Sequence, residues 1–124
     1  MQVKIDTKEK FTVITPNMHE FSANMTDEMD DLLLAYLNKD IPHIVLNCKE
    51  IKKVDEKAGE RLATLQQQFY ENNASFIICE LQEDIEEMLD KLELLELMNI
   101  TKTESEAWDI VQMEEIEREL SNED

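Results

Sequence analysis

Apolar residues in the middle of the chain form two short continuous runs on either side of an amphipathic segment. The runs are residues 43–48 and 75–79, and continuous apolar runs of this length are typical of strands buried on both faces. The segment between them, residues 56–70, places Phe69 and its leucines on one helical stripe. A strand, a helix and a second strand in this order predict a βαβ unit with neighbouring parallel strands.

The N-terminal part of the chain predicts a hairpin followed by a helix. Residues 3–5 and 11–15 are strand-like, with charged residues between them. Residues 25–38 carry apolar side chains at helical spacing, so they predict an amphipathic helix with one buried face. Ser22 or Asn24 is expected to cap its N-terminus.

The region after the second buried run predicts two further helices. Acidic residues at 83–84 suit the first turn of a helix. Residues 94–100 fit either a continuation of that helix or a short last strand. Thr103 and Glu106 have the spacing of a capping box, which predicts a terminal helix. The predicted fold class is α/β, with a small, mostly parallel sheet, an N-terminal hairpin and helices mainly on one face. The domain is expected over residues 1–113, with an acidic helix end or tail over residues 114–124.

Composition indicates one packed domain of a cytoplasmic protein. The chain has 124 residues, of which 42% are hydrophobic, which is enough for a substantial core. It contains no apolar run of about 18 residues that predicts a membrane span, and strand-like residues follow Met1 directly, without a leader-like apolar segment. Cys48 and Cys79 each end a predicted buried strand, and reduced core thiols are expected there.

The net charge of −18 argues against nucleic acid and anionic membrane as partners, because the protein's own field repels phosphate groups. Residues 80–124 carry a net charge of −14, whereas residues 1–79 carry only −4. Within the first part, five basic residues form a local cluster, which either binds an acidic partner or neutralises the acidic C-terminal part. They are Lys49, Lys52, Lys53, Lys57 and Arg61.

The residue types needed for catalysis or metal binding are not arranged for either. A chain with one glycine has no glycine-rich phosphate-binding loop. His19 and His43 lack a metal-ligand spacing, and two distant cysteines provide no zinc-binding pair. Neighbouring carboxylates lie about 100° apart on a helix and do not converge. We therefore expect no enzymatic activity, no metal and no cofactor.

The order of elements and the segment VDEKAGERL at residues 54–62 resemble the STAS domain of bacterial anti-sigma-factor antagonists. In that family a buried strand leads into a loop of the type (I/M)-D-S-S-G-L-G, then a helix and a second strand. The spacing from Asp55 to Cys79 fits this pattern without a gap, and residues 19–22 take the place of the family's G-E-L-D. The resemblance covers about residues 1–113 and implies a protein-binding surface around the loop. Its residues are Asp55, Glu56, Lys57, Ala58, Gly59 and Lys53, together with His19, Glu20, Phe21 and Ser22.

The loop departs from the family pattern at its phosphorylated position. Glu56 stands where the family has the serine that a partner kinase phosphorylates, and Lys57 replaces the next serine. No phosphorylation is therefore expected at this loop. Glu56 supplies one negative charge, whereas phosphoserine supplies about −1.5 to −2 and three acceptor oxygens. Glu56 either partly mimics the phosphorylated state or is only an acid at a helix N-terminus.

The resemblance implies a non-catalytic interaction module. Its protein partner is expected to be an anti-sigma factor or a related regulatory protein, and no nucleic acid binding or membrane insertion is expected. The alternative is a constitutive STAS scaffold in a larger transport-associated or signalling complex, without phospho-switching. The oligomeric state and the identity of the partner stay open at this point.

Overall fold

A five-stranded sheet with helices on both faces forms the body of the computed structural model, which describes residues 1–121. The strands are β1 (Val3–Thr7), β2 (Thr12–Pro16), β3 (Glu20–Phe21), β4 (Ile44–Asn47), β5 (Lys53–Val54), β6 (Phe76–Cys79) and β7 (Ile100–Thr101). The helices are α1 (Thr26–Leu34), α2 (Glu56–Glu71), α3 (Glu83–Lys91) and α4 (Glu104–Ser121). Short 3-10 turns occupy Ala23–Met25, Ala35–Asn38 and Leu95–Leu97.

The main sheet has the strand order β1-β2-β4-β6-β7. β1 and β2 form the predicted antiparallel hairpin, and every other neighbouring pair in this sheet is parallel. In the centre, Ile44 of β4 lies opposite Phe76 of β6 on one side and Thr12 of β2 on the other. The predicted βαβ unit is therefore confirmed, with α2 as its crossover helix.

The side chains of the central strands alternate between two apolar clusters. Ile44 and Leu46 belong to the cluster formed with α1, α2 and α3, whereas Val45 belongs to the cluster formed with α4. The same alternation holds along β6. Three helices thus cover one face of the sheet and α4 covers the other, which agrees with the prediction of helices mainly on one face.

The geometry of the turns decides two points that the sequence left open, namely the cap of α1 and the conformation of residues 94–100. Neither Ser22 nor Asn24 caps α1, because Ser22 precedes the 3-10 turn Ala23–Met25 and Asn24 lies within it. The N-cap residue is Met25, and no side-chain hydrogen bond caps the helix. Instead the Thr26 hydroxyl donates to the Ala23 carbonyl oxygen at 2.9 Å. Residues 94–100 form a 3-10 turn and then enter β7, so the last strand is present.

Helix α4 runs without interruption through residue 113, where the sequence predicted the end of the domain. Its C-terminal half carries Arg118, whose guanidinium donates to the hydroxyl of buried Ser75 at 2.5 Å and pairs with Glu114 at 3.6 Å. Glu115 lies 3.8 Å from the Nε2 atom of buried His43. Glu114, Glu115 and Arg118 therefore contact the packed body, whereas the other residues from 116 to 121 are exposed. The domain boundary at residue 113 stays a prediction, and residues 122–124 of the predicted tail lie outside the described residues.

Candidate functional site

The candidate site lies beyond the carboxyl end of β4, where open α/β sheets usually place their functional groups. There the chain enters β5, which pairs in parallel with β3 to form a separate two-stranded sheet. Glu20 lies opposite Lys53 in this pair, and Phe21 lies opposite Val54. The pairing brings the segment 19–22 next to the loop that begins α2, as the resemblance implied.

Backbone hydrogen bonds hold the two segments together. The carbonyl oxygen of His19 accepts from the N–H groups of Lys52 and Lys53, at 2.7 and 3.1 Å. The N–H of Asp55 donates to the carbonyl oxygen of Phe21 at 3.2 Å. Because these contacts use only the main chain, the side chains of His19, Lys52 and Lys53 remain exposed to solvent.

Asp55 is the residue that fixes the loop. It is the N-cap of α2, and its Oδ1 atom accepts from the N–H of Ala58 at 2.9 Å, in the usual manner of a capping aspartate. Its Oδ2 atom accepts from the N–H of Ala23 at 2.9 Å. These two hydrogen bonds, first that of Ala58 and then that of Ala23, lower the pKa of the Asp55 carboxyl below its ordinary value, so the carboxylate form is favoured.

Three of the ten residues assigned to the binding surface are buried, so their side chains do not belong to an exposed surface. Phe21 and Ala58 have no exposed surface and lie in the larger apolar cluster. Gly59 is also buried, and a Cβ atom at this position would lie 2.9 Å from Leu89 Cδ2 of α3. These residues anchor β3 and α2 beneath the loop. This part of the sequence-based assignment is corrected to a structural role.

The remaining residues form a surface of alternating charges. Glu20, Lys53, Glu56 and Lys57 are exposed, as are His19 and Asp55, and Ser22 is half-buried. Within residues 1–121, neither Glu56 nor Lys57 forms an ion pair with another side chain. Their charged groups are therefore available to a partner, on a loop whose backbone is fixed by Asp55.

The sequence did not assign the α3 residues that border this surface. Asp84 and Met88 of α3 line a groove of about 260 Å³ together with Glu20, Lys53 and Asp55. A signal for this contact was present in the predicted topology. Since α3 follows β6, and β6 is the parallel neighbour of β4, both loops must emerge at the same edge of the sheet.

One member of the predicted basic cluster has its charge partly compensated within the protein. Arg61 of α2 pairs with Asp30 of α1 at 3.4 Å, so its partner is in the N-terminal part of the chain and not among residues 80–124. Asp30 itself is half-buried, and desolvation raises its pKa, while Arg61 opposes that change. Lys49, Lys52, Lys53 and Lys57 are exposed and remain as the basic part of the surface.

The cysteines lie in the core behind the site. Cys48 and Cys79 are buried free thiols at the carboxyl ends of β4 and β6, where the Cys48 N–H donates to the Cys79 carbonyl oxygen at 3.0 Å. Burial raises the pKa of the Cys48 thiol and raises that of Cys79 to about 12. Both side chains are therefore protonated and apolar in character. Residues 1–121 contain no cluster of three His, Cys, Asp or Glu side chains able to hold a metal ion.

The sequence profile of the STAS domain matches residues 2–107, so the chain belongs to the STAS domain family. The match includes the whole candidate site and ends within the first turn of α4. No curated protein sequence is significantly similar to the chain. Among residues 1–121, no helix is both long and apolar enough to cross a membrane.

Solved structures with the same fold come from different biological settings. An anti-sigma-factor antagonist (STAS) domain protein from Planctomyces limnophilus has a TM-score of 0.74, with 16% identity over 89% of this chain and 97% of that one. The Bacillus cell fate determinant SpoIIAA in its phosphorylated form has a TM-score of 0.62, with 13% identity over 89% and 99%. The murine anion transporter Slc26a9 has a TM-score of 0.69, with 11% identity over 84% of this chain but only 18% of that chain.

Proposed function

We propose that the protein is a non-catalytic interaction module of the anti-sigma-factor-antagonist type, which docks a regulatory protein through the loop at the start of α2. The partner would be an anti-sigma factor or a related regulator, in the cytoplasm. The observation that carries this proposal is the position of Asp55, whose two hydrogen bonds fix an exposed, charged loop against the segment that follows β3. A fixed loop loses little conformational entropy on binding, which favours affinity.

The proposed contact surface combines the two segments. It consists of the exposed side chains of His19, Glu20, Lys53, Glu56 and Lys57, with the Asp84 edge of α3 beside them. Its mixed charges favour a partner whose own surface alternates in sign, because complementary charges determine register and association rate. Neutral or purely apolar partners are disfavoured by the cost of desolvating these groups.

The loop lacks a hydroxyl group from Asp55 to Ala58, and this supports constitutive docking over docking switched by phosphorylation. The SpoIIAA structure is that of a phosphorylated protein. In the present chain, Glu56 and Lys57 replace the serines of the family's loop, and the nearest downstream hydroxyl is Thr64, about two turns into α2. The Thr64 hydroxyl also donates to the carbonyl oxygen of Glu60 at 3.0 Å.

The alternative is a constitutive scaffold within a larger complex, and the similarity to part of the Slc26a9 anion transporter favours it. The two proposals differ in the partner. A pull-down from the native cell, together with the identity of neighbouring genes, separates them. A kinase or sigma-factor gene supports the antagonist function, and a transport operon supports the scaffold.

Titration calorimetry with the identified partner tests the docking site itself. Among the charges of this surface Glu56 is the exception, because it stands where the family has a serine. We therefore expect Glu56→Ser to tighten binding by about 1–3 kcal/mol, since a charge that is poorly matched at an interface is costly. The matched control is Glu71→Ser, which removes the same charge from the exposed last residue of the same helix. Equal affinities of wild type and Glu56→Ser would show that the loop is not the docking site.

A further inference from the structure

Helix α4 has a second apolar side that points away from the sheet. Met113, Ile116 and Leu120 are 53%, 56% and 61% exposed, whereas Ala107 and Val111 of the same helix are fully buried against the sheet. At about 100° per residue, Leu120 lies about 180° around the helix from Val111. The spacing of three and four residues places the exposed side chains in one row, which we call the outer stripe.

The exposed charges that α4 itself carries around the outer stripe are negative. Asp109, Glu117 and Glu119 are exposed on this part of α4. Arg118 is the only basic residue of the helix, and its guanidinium is directed to Ser75 and Glu114 on the sheet side. Within α4 the outer stripe is therefore an apolar row with acidic flanks, and the one cation of this helix is directed away from it.

From this arrangement we propose that the outer stripe is a second docking site, which binds a basic amphipathic helix of another protein. Residues at i, i+3 and i+7 are the anchors with which one helix packs against another. Lysine and arginine beside the partner's apolar row would meet Glu117 and Glu119 across the interface. Met113 suits such a contact because its flexible thioether side chain adapts to different neighbours.

The same acidic residues disfavour two other partners that could cover an apolar helix face, a second copy of this chain and a lipid surface. A second copy of this chain, with its net charge of −18, would bring equivalent acidic residues against each other. An anionic lipid surface would meet the same repulsion. The outer stripe also lies on the opposite face of the sheet from α2, so occupying it leaves the Asp55 loop accessible. The chain would then join two proteins at once.

Fluorescence anisotropy with a labelled amphipathic peptide of leucine and lysine tests this site. The control peptide has the same composition in a scrambled order, which removes its apolar face and keeps its charge. The measurement is made at about 0.15 M salt, where the Debye length is about 8 Å and general attraction to an acidic protein is weakened. We expect the amphipathic peptide to bind at least about tenfold more tightly than the scrambled one.

A triple variant combines Met113→Gln, Ile116→Gln and Leu120→Gln. It removes the apolar row and keeps residues that favour the helix. We expect it to lose at least about tenfold in affinity for the amphipathic peptide. Leu97→Gln is the matched control, since Leu97 is 73% exposed elsewhere on the surface, and it should bind like wild type. Circular dichroism and thermal melts check that each variant is folded, and Ile116→Gln alone gives an intermediate loss.

Three results would overturn the proposal. The first is equal binding of the two peptides, and the second is unchanged affinity of the triple variant. The third is a different occupant. If sedimentation shows a wild-type dimer that the triple variant converts to a monomer, the outer stripe binds a second copy. Binding to anionic vesicles that the triple variant abolishes would assign the stripe to a membrane surface.

Discussion

The Oδ2 atom of Asp55 accepts a hydrogen bond from the backbone N–H of Ala23, which lies 32 positions earlier in the chain. The Oδ1 atom of the same carboxylate accepts from Ala58 in the first turn of α2. One side chain therefore joins the turn after β3 to the start of α2. The geometry of the proposed docking surface therefore depends on this carboxylate.

Replacing Asp55 should separate these two segments. We expect Asp55→Ala to lower the free energy of unfolding by about 0.5–2 kcal/mol, as for the loss of a helix N-cap. Asp55→Asn should cost less, because asparagine caps helices about as well as aspartate. Urea unfolding of the three proteins measures both changes. An alanine variant as stable as wild type would mean that the carboxylate contributes nothing to holding the loop.

Shortening a buried side chain of the central strand β6 should destabilise the fold. Ile77 is fully buried and packs in the cluster with α4, so Ile77→Ala should cost about 2–5 kcal/mol. The control is Ile5→Ala on β1, where the side chain is 47% exposed and little should change. Chemical denaturation measures both. A neutral Ile77→Ala substitution would contradict the placement of Ile77 in the core.

Salt should stabilise the fold. Residues 80–124 carry a net charge of −14, and at low ionic strength these charges repel each other. At 0.1 M salt the screening length is about 10 Å, so we expect the midpoint of thermal unfolding to rise across a sodium chloride series. Chloride is used because sulfate strengthens apolar burial by itself. A midpoint that does not rise would indicate that the acidic residues are already compensated within the fold.

Acidification should destabilise the fold through His43. Its Nδ1 atom accepts from the N–H of Ser75 at 3.0 Å, which requires that nitrogen to be unprotonated. Burial, and secondly the charge of Arg118, lower the pKa of His43 below 6.5, while Glu115 opposes them. The unfolded chain therefore takes up the proton first as the pH falls. The contribution of His43 to stability is fully present above pH 6.5 and is lost as the pH falls through its lowered folded-state pKa.

Urea unfolding at about pH 7.5 and about pH 5.5 measures this loss. The variant His43→Gln keeps an acceptor for Ser75 and removes the titrating ring, so it should show a smaller difference between the two conditions. His19→Gln is the control, because His19 is exposed and only its backbone oxygen has a role in the structure. An identical pH difference in wild type and His43→Gln would exclude His43 as the cause.

The hydrophobic pattern predicted the parallel core correctly because strands buried on both faces leave long apolar runs. The same reasoning placed the loop of Asp55 beside residues 19–22, through the family spacing. It did not separate exposed from buried members of that surface. Phe21, Ala58 and Gly59 are neighbours of the exposed residues in sequence, but Phe21 in β3 and the other two in the first turn of α2 face the core. Which side of β3 and of this first turn is buried depends on the pairing of β3 with β5 and on the packing of α3.

Turn chemistry and helix ends were harder to predict than the core. The chain has a single glycine, and Asn73, Glu80 and Glu93 are the residues other than glycine that adopt positive φ angles within residues 1–121, at 59°, 59° and 61°. Asparagine enters this region with little strain. The two glutamates are exposed, and their backbone N–H groups donate to the carbonyl oxygens of Lys102 and Asp90. No local signal in the sequence predicts the positive φ angles of the two glutamates. The outer stripe of α4 was also not predicted, because residues beyond 113 were interpreted as a solvated end.

The parallel arrangement of β2, β4 and β6 has a consequence for how the chain reaches its native state. The β1–β2 hairpin closes through a short turn, but β4 pairs with strands whose partner residues lie far away in sequence, such as Thr12 and Phe76 for Ile44. Each of these pairings requires a long loop to close, and the entropy cost of closing it arises before any stabilising contact has formed. We expect folding on a slower timescale than that of a helical bundle of this length, with the edges of β4 and β6 unpaired until these long-range strand pairings have formed.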